Sequence, residues 1–475
     1  MLLFVKQIVM VNNCITVIFL FIYTLVNAQS RLPIVYLSGD FGYDYQEGTV
    51  SIMMPDGTTI NNLSGKIKWR GGTTNAEGKH KRNYKIRFDN DIQLFGFRKD
   101  NNWILDAGQA DLFRLRNRIA TELWNDMSHK PYYSEKEPDA LSGVRGEVVE
   151  VYLNDEYRGI YCLTECMDRK QLKLKKFDKK TNEIHGGLWK SKGYGCSLMW
   201  DCLESYDNNN VKWDVFEVKY PELDDLPETD YSTLWNAINF VVYSSDDEFT
   251  QHVADYFDIP VVIDYYIFLH TLNAFDNVGK NMYWAVYDKA ENKKLTLAAW
   301  DLDATVGAKW LGDWAVPDYG MNINLNLIVR LKKLNVDGFN EKSLARYREL
   351  RKDILSTDNL INRYQYYYHL LTITGAAERE EKLWSKDSDV NGEEIKFDDE
   401  IAYISQWIDK HIQYLDAHVF PLDTSIKNIS AECNEDKKVY NLQGLRAVIP
   451  MGNGLYIIKD KDGVYRKFIT KKSLD

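Results

Sequence analysis

Asp276, Asn281, Asp301 and Asp303 are the residues of this 475-residue chain whose types and spacing best suit chemistry. Carboxylate and amide oxygens are hard ligands of the kind that Mg²⁺ or Ca²⁺ takes. If the chain folds so that the four meet, they form a cation site with a carboxylate to spare for proton transfer. The alternative is structural: Asp276 and Asn281 cap a loop, Asp301-Leu-Asp303 ends a strand, and the charges are solvated.

The flanking residues argue for convergence. Asp258 and Pro260 suit the N-cap and first turn of a helix, and apolar positions from Val261 to Leu272 recur at helical spacing, which predicts a buried helix stopping near Asn273. Two runs of strand composition follow, MYWAVYD from Met282 and LTLAAWD from Leu295, separated by the turn-forming residues 289–293. With the turn centred on Glu291, an antiparallel hairpin sets Asn281 opposite Asp301. Asp276 and Asn281 then enter at the mouth where Asp301 and Asp303 emerge, and Val306-Gly307 lets the chain leave.

Composition bounds the rest. Hydrophobic residues make up 45% and charged residues 27%, so the body is globular, and the net charge of −11 argues against a nucleic-acid backbone as partner. Thirteen Trp and 31 Tyr fit aromatic cores, or sugar platforms in an exported protein. Residues 1–28 carry an apolar run ending Val26-Asn-Ala28, the pattern of a secretory signal peptide. The expected location is outside the cytoplasm, in periplasm, cell surface or medium, with the membrane met only through export or surface attachment. An uncleaved anchor is the alternative. Five cysteines remain after cleavage, an odd number, with Cys162 and Cys166 or Cys196 and Cys202 spaced for local disulfides.

The order of patterns predicts an α+β protein. Strand patterns fill residues 31–100, among them Tyr84-Lys-Ile-Arg-Phe88, with Tyr84, Ile86 and Phe88 on one face. The basic loop before it offers Arg70, Lys79 and Lys81 to phosphates, or is a basic surface loop with no ligand, which is the ordinary case. Asp111 suits the cap of a helix whose stripe is Leu112, Leu115, Ile119, Leu123, Trp124 and Met127, with Arg114, Arg116 and Arg118 off it. A hairpin from Glu147 to Leu163 leads to Glu165, a partner for a lysine such as Lys85. From about Tyr231 the patterns turn helical, and residues 432–475 read as a small antiparallel β module.

Asp-x-x-x-x-Asn, then a hairpin and a further Asp, is the layout by which protein kinases place a base, a metal-binding amide and a metal-binding carboxylate. Trp69-Arg-Gly71, Tyr84-Lys-Ile-Arg-Phe88, Asn102-Trp-Ile-Leu105, Arg116-Asn-Arg118, the run from Tyr157 to Glu165, Phe216-Glu-Val-Lys-Tyr-Pro221 and Trp300-Asp-Leu-Asp303 together resemble the spore coat protein H (CotH) kinase family over roughly residues 60–420. The resemblance implies an atypical protein-kinase-like fold, with a β-rich N-lobe over about 31–225 and a helical C-lobe over about 226–430. It also implies transfer of the ATP γ-phosphoryl group to Ser/Thr hydroxyls of a protein substrate, with Mg²⁺ or Mn²⁺. Carried over by position, Asp276 is the catalytic residue and Asn281 and Asp301 hold metal, with Lys85 and its partner Glu165 as the candidates that bind ATP; Asp303 joins the metal set by its place at the hairpin mouth, and Arg70 joins the ATP set from the basic loop.

The sequence departs from the family pattern at Arg70-Gly-Gly-Thr-Thr74, at Cys166 and at Ala299. The C-terminal module resembles type IX secretion sorting modules. Two further readings stay open. One is a non-catalytic kinase-like scaffold or surface interaction protein; the other is a carbohydrate-active protein, with Asp301 and Asp303 sharing a strand face to flank a sugar.

Overall fold

The computed structural model describes residues 31–422 except 202–204, 223–227, 319 and the side chains of 313 and 314, together with the backbone of the strands beyond residue 437. Residues 1–28, Cys202 and Cys433 lie outside the described residues. The chain divides into two compact units, Met1–Tyr414 and Leu415–Asp475.

In the first unit, β1 (Ile34–Ser38), β2 (Gln46–Met53), β3 (Thr59–Arg70), β4 (Asn83–Ile92), β5 (Asp100–Asp106), β6 (Gly146–Leu153) and β7 (Glu156–Glu165) close into a barrel in the order β1-β2-β3-β4-β5-β7-β6. Parallel pairing of β1 with β6 seals it. Period-two alternation fills the interior: Ile67, Tyr84, Ile86, Phe88, Trp103, Val149 and Tyr161 pack together, while Lys85 and Arg87 point away from that core. A helix, α1 (Arg116–Met127), lies between β5 and β6 in sequence.

A second sheet combines β8 (Gly187–Ser191), β9 (Lys212–Trp213), β10 (Phe216–Tyr220), β11 (Met282–Val286) and β12 (Thr296–Ala299) in the order β12-β11-β8-β10-β9. Helices α2 (Ser232–Tyr243), α3 (Asp246–Tyr256) and α4 (Ile259–Leu272) stand between β10 and β11 in sequence, and α5 (Asn326–Leu334), α6 (Phe339–Leu350), α7 (Thr357–Ile373), α8 (Ala376–Trp384) and α9 (Phe397–Tyr414) complete the unit. The class is mixed α+β. None of the described helices is long and apolar enough to cross a membrane. The second unit carries β13 (Lys438–Asn441), β14 (Arg446–Ala447), β15 (Gly454–Lys459) and β16 (Tyr465–Thr470), an antiparallel sheet in the order β14-β13-β15-β16.

Several local expectations are corrected. Helix α1 begins at Arg116, with Leu115 at the N-cap. Asp111 acts one turn earlier, accepting from the Phe113 amide at 2.9 Å and the Arg116 amide at 2.8 Å. Arg114, Arg116 and Arg118 are buried, because each guanidinium finds partners that a helix stripe does not reveal: Arg116 bridges Asp111 at 2.5 Å and Glu400 at 2.6 Å. Cys162 and Cys166 form no disulfide; both thiols are buried, and burial raises Cys166 to about 11.

Helix α4 is apolar nearly all round, as a core helix must be. It carries His270, which burial pushes down from 6.5 to about 3, with Lys332 and His411 adding to the shift. Above pH 6.5 the imidazole is neutral whether the chain is folded or unfolded. Below it the unfolded chain takes up a proton that the fold refuses, so stability falls as pH drops from 6.5 towards 3. Urea unfolding at pH 7 and pH 5 is expected to show wild type losing about 2 kcal/mol more than His270→Phe.

Candidate active site

Helix α4 ends where Asn273 adopts the left-handed conformation at φ 52°, and Asp276 follows in a short 3₁₀ turn, Phe275–Asn277. Buried Asn277 fixes this turn. Its amide nitrogen donates to the carbonyls of Asn281, at 3.2 Å, and Trp300, at 2.7 Å, while Tyr265 Oη donates to its own carbonyl at 2.7 Å. The segment entering the hairpin is thereby tied to the segment leaving it.

The register differs by one residue from the expectation. Met282 pairs with Ala299 and Ala285 with Thr296, so continuing the ladder sets Trp300, not Asp301, across from Asn281. The connection folds around Asp288, whose carbonyl accepts from Glu291 and Asn292 and whose side chain accepts from Ala290, placing its centre slightly before Glu291. Pairing stops at Ala299, and both Asn281 (φ 52°) and Asp301 (φ 60°) leave the strand conformation. Asp301 and Asp303 therefore share no strand face, and the sugar-flanking arrangement is absent. At the exit Gly307 (φ 62°) is required, since a Cβ there would stand 2.5 Å from the Trp407 ring.

Asp276 is fully engaged. One oxygen accepts from Tyr194 Oη at 2.9 Å and the other from Asn281 Nδ2 at 2.8 Å, and Lys280 Nζ reaches both at 2.7 and 2.8 Å. The Asn281 side-chain oxygen is thus turned away from Asp276. Asp301 and Asp303 make no hydrogen bond or ion pair with described residues. Desolvation raises both carboxyls, Asp303 well above the usual range, although Asp301 keeps a solvent-exposed surface. For Asp301, Lys190 and Arg70 oppose that rise while Asp106 and Asp276 add to it; for Asp303, Asp301, Asp106, Asp111 and Asp276 all add.

Unpartnered, mutually repelling carboxylates beside a free amide oxygen fit a divalent cation. Asp276, Asp301 and Asp303 are not a closed cage, however. Among the described residues, only His80, Asp387 and Asp389 bring three ligand atoms of His, Cys, Asp or Glu within 4.8 Å. The open set suits Mg²⁺, which takes one or two carboxylates and fills its shell with water and phosphate oxygens. The His80 cluster is a clasp: Asp389 accepts from the amides of His80, at 3.0 Å, and Lys81, at 2.8 Å, and Lys79 stands 3.6 Å away.

A cavity adjoins Asp301, lined by Arg70, Asn83, Asp106, Asn117, Thr164 and Trp300 among others. Asn117, one residue into α1, joins its two sides, donating to Asp106 at 2.6 Å and accepting from the Leu302 amide at 3.0 Å. Arg70 lies over the Trp300 ring at 5.6 Å and Lys190, on β8, at 5.9 Å. Burial lowers Lys190 to about 8; Asp301 and Glu217 oppose the shift, and Arg70 and Lys219 add to it.

Glu165 does not pair with Lys85. Its carboxylate is held by Arg145 at 2.7 Å and by the amides of Arg98 and Arg145, each at 3.1 Å. Lys85 sits on the outer face of β4, cross-strand from Lys68 and Ile104, half-buried and without an ion pair. Lys81 is buried against Glu380, and Lys79 is turned to Asp389, so neither basic loop residue faces the cavity. Sequence reading missed Lys190, Asp106, Asn117 and Asn277. Lys190 and Asp106 carried no signal beyond their place at a strand end, and the other two work through contacts that local spacing does not encode.

A search of curated proteins finds no match. The model of a family described as CotH kinase protein matches residues 67–415, well over half of the chain, and spans every residue of the site just described. With its paired Asp-Asn loop, unpartnered carboxylates and cationic cavity wall, the chain belongs to the CotH kinase protein family.

Proposed function

We propose that this protein is an exported, metal-dependent protein kinase that moves the γ-phosphoryl group of ATP to Ser/Thr hydroxyls of exported or surface proteins. The observation that carries the reading is an engaged Asp276 close enough to act electrostatically on unpartnered Asp301 and Asp303, inside a segment that the kinase family model covers. Export rests on the character of residues 1–28, and the C-terminal sheet suits a sorting role.

Asp301, Asp303 and the Asn281 side-chain oxygen would hold Mg²⁺ or Mn²⁺, which supplies charge neutralisation on the β- and γ-phosphates when bound. Asp276 orients the acceptor hydroxyl and receives its proton as the new oxygen–phosphorus bond forms and the β,γ-bridging bond breaks, releasing ADP. Tyr194 Oη occupies the Asp276 oxygen that an acceptor would address, so its side chain, 43% exposed, turns aside when substrate binds. Lys280 and Asn281 hold the carboxylate in place.

Transfer from labelled ATP to a panel of Ser/Thr peptides with Mn²⁺ or Mg²⁺ tests the reading. Asp276→Asn is expected to lose roughly 100-fold or more in transfer rate while binding ATP within about twofold of wild type. ATP binding without any transfer in wild type would favour the scaffold reading instead.

A further inference from the structure

We infer that Lys190, together with Arg70, takes the terminal phosphates of the nucleotide, and that Lys85 does not. The inference rests on the ATP reading above and deepens it.

Three observations converge on Lys190. Its side chain is half-buried in the second sheet yet has no hydrogen bond or ion pair, although an ammonium in such a place ordinarily holds a partner. Its cross-strand neighbour Glu217 is claimed by Lys219 and by Lys192 at 3.4 Å, which leaves Lys190 without a carboxylate of its own. Lys190 also shares the Trp300 ring with Arg70, and these two are the cations that act on Asp301. Two cations on one aromatic wall, close to the Asp301 carboxylate and beside the cavity that Arg70, Trp300 and Asp301 line, form a receptor for an anion that brings its own cation. A metal–triphosphate has that charge pattern.

Lys85 is likewise half-buried and without an ion pair, but it lacks the aromatic wall that Lys190 shares with Arg70. It acts on Cys166 but is not among the cations prominent at Asp301, and its expected partner Glu165 is committed to Arg145. Lys68 stands directly across from it on β3.

Equilibrium binding of ATP with Mn²⁺, beside binding of adenosine, separates the two lysines. Lys190→Met is expected to weaken ATP about 10- to 100-fold, the scale of a charge-assisted hydrogen bond, and adenosine less than twofold. Lys85→Met is expected to change ATP less than about threefold, and Lys190→Arg to retain most of the affinity. An acyl-phosphate derivative of ATP, used on the unmodified protein, gives a reading that does not depend on how a variant folds. Attack of a lysine amine on the acyl carbon expels ATP and leaves an amide on the nearest lysine.

ATP-competable labelling at Lys190 supports the inference. Labelling at Lys85, a larger ATP loss in Lys85→Met, or equal losses for ATP and adenosine in Lys190→Met overturn it. If wild type neither binds ATP with metal nor takes the label, the ATP reading itself fails and the inference falls with it.

Discussion

Asp301→Ala is expected to abolish the metal-dependent rise in melting temperature that ATP gives wild type, and to cost roughly a thousandfold in phosphoryl transfer, about 4 kcal/mol. A ligand that binds only the folded state must raise the melting temperature, so the shift reports the site directly. The same substitution is expected to leave the melting temperature of the ligand-free protein within about 2 °C of wild type. Desolvation lifts the Asp301 carboxyl above its ordinary value, with Asp106 and Asp276 adding, but the residue is solvent-exposed, so its ionised form costs the fold little. Lys190 and Arg70 oppose the rise from over Trp300 without closing an ion pair. A variant unchanged alone and unresponsive to ATP and Mn²⁺ would tie Asp301 to the ligand site; an unchanged response would remove Asp301 from it.

Much of this site is legible in sequence because its parts are local. The helix from Ile259 to Leu272 announces itself by apolar content and by Pro260, and the strand runs on either side of residues 289–293 define a hairpin. The register within that hairpin is not legible to one residue, because the geometry of the Asp288 turn decides where pairing begins. Asp258 shows the same limit. It stands at the N-cap as its type suggests, but its carboxylate accepts from the Tyr132 amide at 2.9 Å, 126 residues away.

Charged partners are the least legible feature. Glu165 prefers Arg145, which is 20 residues away and brought alongside by the turn of the barrel wall, to Lys85 on another strand. Arg116 reaches Glu400 over a separation of 284 residues. An arginine off the apolar stripe of a helix reads as solvent-facing by periodicity, and only tertiary structure reveals that an acid is waiting in the interior. Lys190 is the converse case. A lysine in a strand pattern reads as edge or surface, and its lack of a partner appears only once Glu217 is seen to be taken.

The second large expectation concerns stability. Glu380, on α8, is fully buried: one oxygen accepts from Lys81 Nζ at 2.6 Å and Arg114 Nε at 2.7 Å, and the other from the Ile160 amide at 2.7 Å. Gly159 (φ 95°) makes room for it, since a Cβ there would stand 2.0 Å from the carboxylate. Glu380→Leu strands two cations and an amide in the barrel wall, and breaking a buried ion pair from one side costs about 3–5 kcal/mol.

The two cations respond differently. Burial lowers Lys81 to about 7 even with Glu380 present, so without the acid it sheds its proton and keeps its bond to the Ile160 carbonyl at 2.8 Å. Arg114 cannot deprotonate and carries the larger share of the penalty. Adding Arg114→Met to Glu380→Leu is therefore expected to restore more than half of the lost stability in urea unfolding, whereas Lys81→Met added to Glu380→Leu restores less. A single variant within about 1 kcal/mol of wild type would remove Glu380 from the anchoring role, and an Arg114→Met substitution that deepened the loss would overturn the account of which cation is left exposed to the apolar interior.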